Sequence, residues 1–156
     1  MLVLGLVCSP RSHSNTEMMM EAALAGARSY GAETELWTAA GKKLEPCNAC
    51  EVCVKNGGLC NIQDDMRALY PRIEAADGLI LGSPSYYMSV TAQAKTVMDL
   101  LYGFYTNYKL VNKVAGVISV AGSVGNNDVA QQFINFIWLR GAPRRGRQRR
   151  LRHEEL

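Results

Sequence analysis

Residues 1–16 read MLVLGLVCSPRSHSNT, and this stretch decides the fold. Its first seven residues form a continuous apolar run, which is typical of a strand buried on both faces of a parallel sheet. Asn15 and Thr16 then stand where a helix N-cap is expected, ahead of an Ala-, Met- and Leu-rich segment that reaches Tyr30 and stops at Gly31. The opening of the chain therefore predicts a buried strand, a polar loop and a helix.

The same alternation continues along the chain. Further strands are predicted at TELWTA, GLILGSP and KVAGVISVAG. Helices are predicted from Asp64 and Asp65 to about Ala76, from Thr91 to Tyr102, and over NNDVAQQFINFIWLRG. Pro71 falls inside the first of these helices and should kink it unless a new turn starts there. Buried strands that alternate with helices favour a parallel α/β sheet built from right-handed βαβ units.

Length and composition predict one domain, and we expect no export or membrane segment in it. A chain of 156 residues buries about two-thirds of its unfolded surface, so it does not need disulfides to fold. No basic residue precedes the first apolar run, Pro10 and Arg11 follow it at once, and no stretch reaches membrane-spanning length. We therefore expect a cytoplasmic, reducing location and no membrane partner. In that setting clustered thiols more often bind metal or do redox chemistry.

The basic excess of the chain lies at its end. Residues 1–140 contain 11 Lys and Arg against 12 Asp and Glu, whereas residues 141–156 contain six arginines and two glutamates. Residues 142–156 show no strand pattern and are predicted to form a disordered Arg-rich tail. Such a tail can attract nucleic acid, but it has no interleaved aromatic residues, and a nucleic-acid partner is not favoured. The abrupt change at Ala142 and Pro143 also fits a truncated or frameshifted C-terminus.

Three loops should converge at the carboxyl edge of the sheet, where open α/β sheets bind ligands. They read CSPRSHSNT, SPSYYMSV and AGSVGNN. The first offers hydroxyls, an arginine and the free N–H groups of a helix N-terminus, a combination suited to a phosphate. The second offers flat apolar surface beside hydrogen-bonding groups, as a planar heteroaromatic ring needs. A polar helix cap, a helix-entry surface and a turn are the alternative interpretations.

Together, GLVCSPRSHSNT and ADGLILGSPSYYMSVTAQAKTVMD resemble the flavodoxin-like family of NAD(P)H-dependent FMN oxidoreductases over residues 1 to about 140. The resemblance implies a flavodoxin-like sheet flanked by helices and an FMN-binding domain over residues 1–141. It also implies a fifth parallel strand and a closing helix, but the sequence after residue 141 departs from the family, and this C-terminal strand and helix are expected to be missing or replaced. It implies that the FMN phosphate contacts the first loop through Ser9, Arg11, Ser14, Asn15 and Thr16. It places the isoalloxazine beside Pro84, Ser85, Tyr86, Tyr87, Met88 and Ser89, with Gly122, Ser123 and Gly125 on the other side. We assign no catalytic acid or base.

Four of the five cysteines lie in the loop of residues 46–60. Cys47, Cys50 and Cys53 follow at three-residue steps, and Cys60 comes after the glycine pair at 57–58. Iron–sulfur clusters are typically held by four cysteines, whereas zinc more often takes two well-separated pairs. Metal-free thiols, zinc and a regulatory disulfide remain alternatives. Cys8, at the end of the first strand, is expected to be a small buried hydrophobic residue.

The spacing C-x2-C-x2-C-x6-C, followed by NIQDDM, is similar to that of the iron–sulfur flavoproteins in the same family. The resemblance implies a 4Fe–4S cluster on Cys47, Cys50, Cys53 and Cys60, and a function in electron transfer through FMN and the cluster. It also implies an electron donor or acceptor such as a ferredoxin or NAD(P)H, and a homo-oligomer. One alternative is an NAD(P)H-dependent FMN or quinone reductase without a cluster. Another is a flavin- or metal-binding regulatory module with a basic nucleic-acid-binding tail.

The acidic pair Asp64 and Asp65 follows the cysteine loop directly. Two adjacent carboxylates can suggest a metal site. Negative charges at a helix N-terminus, where they interact favourably with the helix dipole, are the commoner explanation. We therefore interpret the pair as the charged start of a helix.

Overall fold

The computed structural model describes residues 1–141 of the chain. Its strands are β1 (Leu2–Val7), β2 (Glu33–Thr38), β3 (Gly78–Pro84) and β4 (Val114–Val120). Its helices are α1 (Asn15–Ser29), α2 (Val52–Lys55), α3 (Met66–Ala75), α4 (Ala92–Leu100), α5 (Tyr102–Thr106) and α6 (Asn126–Gly141). The prediction of a disordered Arg-rich tail at residues 142–156 lies outside the described residues.

The sheet has the order β2-β1-β3-β4, and every neighbouring pair of strands is parallel. Strands β1 and β3 are central, which accounts for their nearly continuous apolar sequences. Within residues 1–141, β4 pairs only with β3 and forms one edge of the sheet. The predicted parallel α/β architecture is confirmed, and the loops after β1, β3 and β4 leave the same edge.

Alternate residues of β1 supply two separate layers of core. Leu4 and Leu6 belong to a large cluster with buried residues of α3, α4, α5 and α6. Val3 and Val7 belong to a smaller cluster with Met20 and other residues of α1. This alternation follows from the two-residue period of a strand. Each fully buried large apolar side chain contributes about 1.5–3 kcal/mol, so both helical layers are fixed to the sheet by burial.

The helices differ from their predicted bounds in three places. The helix expected over residues 91–102 is divided at Leu101, where α4 ends and α5 begins. Helix α3 continues through Pro71, because Leu69, Tyr70 and Ile73 are all buried and hold it against the core. The short helix α2 lies inside the cysteine loop and was not predicted. None of the helices in residues 1–141 combines the length and hydropathy needed to span a bilayer.

Candidate functional site

The loops after β1, β3 and β4 enclose a cleft of about 370 Å³ at the carboxyl edge of the sheet, which we call the edge cleft. Its lining residues are Ser9, Arg11, Ser12, His13, Ser14, Asn15, Thr16, Pro84, Ser85, Tyr86, Val120 and Gly122. It therefore brings together every residue predicted for the phosphate loop with parts of the two other loops. The predicted residues outside this lining are Tyr87, Met88, Ser89, Ser123 and Gly125. Ser12 and His13 belong to the predicted phosphate loop but were not among its predicted contacts, and Val120 was not predicted as a lining residue.

Thr16 carries a buried hydroxyl group at the edge cleft. The residue lines the cleft but is 0% exposed, and its Oγ1 has no hydrogen-bond partner among the described residues. An unsatisfied buried polar group of this kind typically costs about 1–3 kcal/mol. Thr16 also lies in the first turn of α1, where free N–H groups and the helix dipole favour an anion. The residues present therefore fit a phosphate group.

Two serines of the first loop support its backbone and keep a proton to donate. Ser14 is the N-cap of α1, and its Oγ accepts from the Glu17 N–H at 3.3 Å. Ser9 Oγ accepts from the Arg11 N–H at 3.2 Å. Because a hydroxyl both accepts and donates, each of these side chains can still donate its O–H to a ligand oxygen.

Glu17 accepts a hydrogen bond from one of the backbone N–H groups of the same loop. Its Oε2 accepts from the His13 N–H at 2.7 Å, and His13 has the left-handed φ of 52°. A carboxylate in the first turn of α1 therefore lies close to the place that suits an anion. Sequence reasoning missed this residue, although the spacing of Ser14 and Glu17 matches the capping-box pattern.

The second loop forms a tight turn beyond Ser85. Tyr86 and Ser89 exchange backbone hydrogen bonds of 2.9 and 3.1 Å, and the two central residues, Tyr87 and Met88, have φ of 50° and 60°. Such conformations cost non-glycine residues about 1–3 kcal/mol and cluster at functional sites. The two tyrosines are thereby separated, because Tyr86 lines the edge cleft and Tyr87 is fully exposed.

The third loop packs directly on the second at Gly125. This residue has a φ of 92°, and a Cβ atom placed on it would collide with Ser85 Oγ and lie 2.8 Å from Met88 Cα. Only glycine accepts both the backbone conformation and this approach. Gly125 therefore fixes the position of the turn rather than lining the cleft.

A second concave site, of about 350 Å³, lies at the cysteine loop, and we call it the thiol pocket. Its lining residues are Cys47, Asn48, Ala49, Cys50, Glu51, Cys53, Cys60, Asp99 and Tyr102. The fold thus brings all four cysteines of the loop to one site, which shares no lining residue with the edge cleft. Cys47 and Cys50 are exposed, whereas Cys53 is only 9% exposed.

The four thiols lie at one site, but they do not surround a common point. In residues 1–141, no three side chains of His, Cys, Asp or Glu form a group that could hold a metal ion. The donor chemistry nevertheless fits an iron–sulfur cluster, because four thiolates are the usual ligand set. Ala49 and Glu51, on either side of Cys50, both have a φ of 56°. Left-handed residues of this kind can direct backbone N–H groups into an anion-binding concavity.

Asp64 and Asp65 have a more specific role than the predicted helix charge. Asp65 Oδ2 accepts from the Lys43 N–H at 2.7 Å, and Asp64 Oδ2 accepts from the Glu45 N–H at 2.9 Å. Asp64 Oδ1 also accepts from the Met66 N–H at 3.1 Å. Neither carboxylate lines the thiol pocket. The pair instead ties the beginning of the cysteine loop to the start of α3.

Burial changes the proton affinity of the Cys53 thiol. Desolvation raises the pKa of Cys53, and the neighbouring Cys60 and Cys47 raise it further. Tyr70 lies beside Cys60, and its hydroxyl donates to the Leu100 carbonyl at 3.2 Å. Burial is the main cause that raises the pKa of Tyr70, with Cys60 as the next. Tyr70 is therefore a neutral hydroxyl next to the thiol pocket, which sequence reasoning did not find.

Cys8 lies apart from the other four cysteines. It is 1% exposed at the end of β1, and burial raises its pKa to about 12. A thiol that stays neutral and inaccessible behaves as a small hydrophobic side chain, as was expected.

Comparison with known proteins places the chain among flavin enzymes by sequence. The profile of the NADPH-dependent FMN reductases matches residues 1–151. An iron–sulfur flavoprotein of Methanocaldococcus jannaschii is 39% identical over 141 residues, which cover 89% of this chain and 72% of the relative. An NAD(P)H dehydrogenase (quinone) of Methanosarcina barkeri is 38% identical over 117 residues, which cover 71% of this chain and 55% of the relative. The chain thus spans little more than half of the second relative.

Comparison of structures confirms the predicted flavodoxin-like fold. The structure of a flavodoxin, WrbA-like protein from Agrobacterium tumefaciens superposes with a TM-score of 0.61, and the matched region covers 89% of this chain and 73% of that protein. The two sequences are 20% identical, so this likeness concerns the fold alone. It agrees with the parallel order β2-β1-β3-β4.

Proposed function

Because the chain belongs to the NADPH-dependent FMN reductase family, we propose that residues 1–141 form an oxidoreductase domain with two redox centres. FMN binds in the edge cleft, and a 4Fe–4S cluster binds at the thiol pocket. The function is electron transfer between these centres and an external donor or acceptor, such as NAD(P)H or a ferredoxin. The observation that carries this proposal is that residues 1–141 gather four cysteines at one site and leave at another a buried hydroxyl with no partner among them.

The first loop and the N-terminus of α1 would hold the FMN phosphate. Thr16 has an unused hydroxyl there, Ser9 and Ser14 keep a proton to donate, and Arg11 supplies a positive charge beside them. Asn15 completes this set. Charge-assisted hydrogen bonds to a phosphate are about twice as strong as neutral ones, so these residues would distinguish FMN from riboflavin.

The second and third loops would orient the isoalloxazine ring. Pro84, Ser85 and Tyr86 face the cleft, and Gly122 lies at its other wall. The predicted residues outside the lining, Tyr87, Met88, Ser89, Ser123 and Gly125, would border the ring only at its outer edge. When bound, FMN supplies one- and two-electron chemistry and the cluster one-electron chemistry, while the protein places and tunes them.

The cluster ligands would be Cys47, Cys50, Cys53 and Cys60. Each must lose its proton to become a ligand, so metal binding is coupled to proton release. Burial raises the pKa of Cys53, so loss of its proton opposes metal binding. Because the thiols within residues 1–141 are not closed around a point, the four cysteines would have to approach one another to hold a cluster.

Helix α4 connects the two proposed centres. Its N-cap Thr91 follows the second loop of the edge cleft, and Asp99 near its other end lines the thiol pocket. Nine helical residues span about 14 Å at 1.5 Å per residue. A rigid helix of this length keeps the two sites at a constant separation within one chain.

Cofactor content tests the proposal most directly. Protein purified without oxygen and reconstituted with iron and sulfide should contain about one FMN and four irons per chain. Cys60→Ser should lower the iron content and leave FMN bound, since the edge cleft shares no residue with the thiol pocket. Cys8→Ser is the matched control and should keep the cluster. Zinc at one per chain, or full iron loading in Cys60→Ser, would contradict the cluster assignment.

The phosphate assignment has a separate test. Arg11→Ala should weaken FMN by roughly 1.5–3 kcal/mol, the usual value of a hydrogen bond to a charged group. Riboflavin, which lacks the phosphate, should be affected much less. Fluorescence titration of both ligands measures the difference, and equal losses would exclude Arg11 from phosphate binding.

A cluster-free NAD(P)H-dependent FMN or quinone reductase is the second candidate. The open arrangement of the thiols and the exposure of Cys47 and Cys50 favour it. Protein that binds FMN, holds no iron after anaerobic reconstitution and is bleached by NADPH would establish this candidate. The regulatory-module alternative depends on residues 142–156, which lie outside the described residues. A homo-oligomer stays a proposal that sedimentation of the reconstituted protein can test.

A further inference from the structure

We propose that Gly103 of α5 is the positioning residue of the thiol pocket. Because it has no side chain, the backbone at Gly58 and the side chain of Cys53 can lie directly against α5, and this contact keeps Cys53 among the other three thiols. The inference deepens the proposed cluster function, and its test by metal content depends on that function. Its test by thiol reactivity does not depend on it.

The contact between Gly103 and the cysteine loop is too close for any side chain. A Cβ atom on Gly103 would collide with the Gly58 carbonyl oxygen, lie 2.7 Å from Cys53 Cβ and lie 2.9 Å from Gly58 C. Two of these three atoms belong to the backbone and the third is the first atom of a side chain. None of them can move aside by a simple rotamer change, so an added methyl group must displace the loop itself.

The contact is equally close from the other side. Gly58 has a φ of 91°, and a Cβ atom on it would lie 3.2 Å from the Gly103 carbonyl oxygen and 3.3 Å from Phe104 Cδ1. Phe104 is fully buried and its ring packs on Tyr70 at 5.3 Å between centroids. The turn at Gly58 therefore packs on the core.

Hydrogen bonds hold the two segments in this register. The Gly58 N–H donates to the Cys53 carbonyl at 3.0 Å. Asn107 Nδ2 donates to the Gly103 carbonyl at 2.9 Å and reaches the Cys53 carbonyl at 3.5 Å. The side chain of Asn107 thus connects Gly103, against which the loop packs, with Cys53, which this contact positions.

The consequence for the thiols follows from their exposure. Cys53 is the most buried cysteine of the pocket, whereas Cys47 and Cys50 are exposed. Displacing the loop from α5 would move Cys53 towards solvent and away from the remaining ligands. Metal sites require ligands within about 0.5 Å of their working positions. A single methyl group at Gly103 should therefore remove one ligand and leave three.

Thiol reactivity in the metal-free chain is the first test. Gly103→Ala is compared with Gly26→Ala, a second helical glycine whose added methyl meets nothing within 4 Å. Iodoacetamide labelling followed by peptide mass spectrometry should show Cys53 reacting about 10-fold faster in Gly103→Ala and unchanged in Gly26→Ala. Cys8 reports global unfolding, since it is 1% exposed in the core, and should stay protected in both. Unchanged labelling of Cys53 in Gly103→Ala, or a matching rise at Cys8, would overturn the inference.

Cluster composition is the second test. After anaerobic reconstitution, Gly103→Ala should hold about three irons instead of four and show the electron paramagnetic resonance signal of an oxidised three-iron cluster, with FMN retained. Adding Gly103→Ala to Cys53→Ser should change nothing further, because both act on the same ligand. A four-iron spectrum in Gly103→Ala would refute the positioning role. If the parent protein itself takes up no iron, the proposed function fails, and the labelling experiment alone decides the role of Gly103.

Discussion

The Thr91 hydroxyl donates a hydrogen bond of 2.6 Å to the carbonyl oxygen of Cys8, although 83 positions separate the two residues. The same Oγ1 accepts from the Ala94 N–H at 3.1 Å and so caps α4. The Thr91 N–H in turn donates to Ser83 Oγ at 3.1 Å. One fully buried residue therefore starts a helix and, through its hydroxyl and its backbone N–H, joins the ends of β1 and β3 beside the loops that form the edge cleft.

Replacement of Thr91 by valine should destabilise the protein. It removes the N-cap and leaves the Cys8 carbonyl without its donor, and the two losses together should lower the free energy of unfolding by about 2–4 kcal/mol. Thr91→Ser keeps the hydroxyl and should lose much less. Urea unfolding of the three proteins measures the difference. Equal losses in the two variants would mean that the methyl group, and not the hydroxyl, is the important part of Thr91.

Replacement of Glu17 by glutamine should strengthen FMN binding. Glutamine can still accept from the His13 N–H, but it removes a negative charge beside the proposed phosphate position. A charge near a helix N-terminus changes binding by about 0.3–1 kcal/mol, so the dissociation constant should fall roughly two- to fivefold. Glu21→Gln, one turn further along α1 and exposed, is the control for net charge. Riboflavin should bind both variants and the parent alike, and a gain for riboflavin as well would argue against a charge effect on the phosphate.

The buried thiol of Cys8 should make stability fall at alkaline pH. Its pKa is raised from 9.0 to about 12 in the folded state. Below pH 9 the thiol is neutral in both states and its full contribution is present. Between pH 9 and pH 12 the unfolded chain loses the proton and the folded chain keeps it, so the free energy of unfolding falls by about 1.4 kcal/mol per pH unit.

Comparison with Cys8→Ala isolates this effect. The variant should be less stable at neutral pH, because it buries less side chain, but its stability should fall less steeply above pH 9. Urea unfolding at intervals from pH 7 to pH 11 gives both curves. Curves that stay parallel throughout would show that Cys8 does not titrate between the two states.

The edge strand β4 should promote self-association. Within residues 1–141, its one partner in the sheet is β3, and Val114 on it is 70% exposed. Lysine on an edge strand disfavours strand-to-strand pairing, so Val114→Lys should reduce concentration-dependent light scattering. Ile134→Lys, at a 47% exposed position of α6, adds the same charge away from the edge. The same reduction in both variants would indicate a general effect of charge.

Local features of the fold could be predicted from the sequence. The apolar run of β1 and the approximate bounds of α1 depend on residues that are close together in the chain. The prediction of Asn15 and Thr16 as N-caps was wrong, because the N-cap is Ser14. The loops at the edge of the sheet followed from the rule for parallel strands, and Arg11 and Thr16 both line the cleft at that edge. Glu17 also had a local signal, the capping-box spacing after Ser14, which was not used.

Contacts between distant residues could not be predicted in this way. The division of the helix at Leu101 places Gly103 against Gly58, and neither glycine carries a sequence pattern that points to the other. Asp64 and Asp65 are adjacent acidic residues at a helix start, and only the path of the chain reveals that they hold residues 43 and 45. The proximity of Tyr70 to Cys60 also could not be predicted, because it depends on tertiary packing and not on neighbouring residues in the sequence.

The packing of the cysteine loop against α5 has a consequence for protein engineering. A designer who wished to give a plain flavodoxin the proposed cluster site would be tempted to transplant residues 46–60 as one continuous segment. The recipient would also need a glycine at the position of Gly103 and an amide at that of Asn107, because these residues receive the loop from outside the transplanted segment. The smallest portable unit is therefore discontinuous, and it comprises the loop together with the short helix on which it rests.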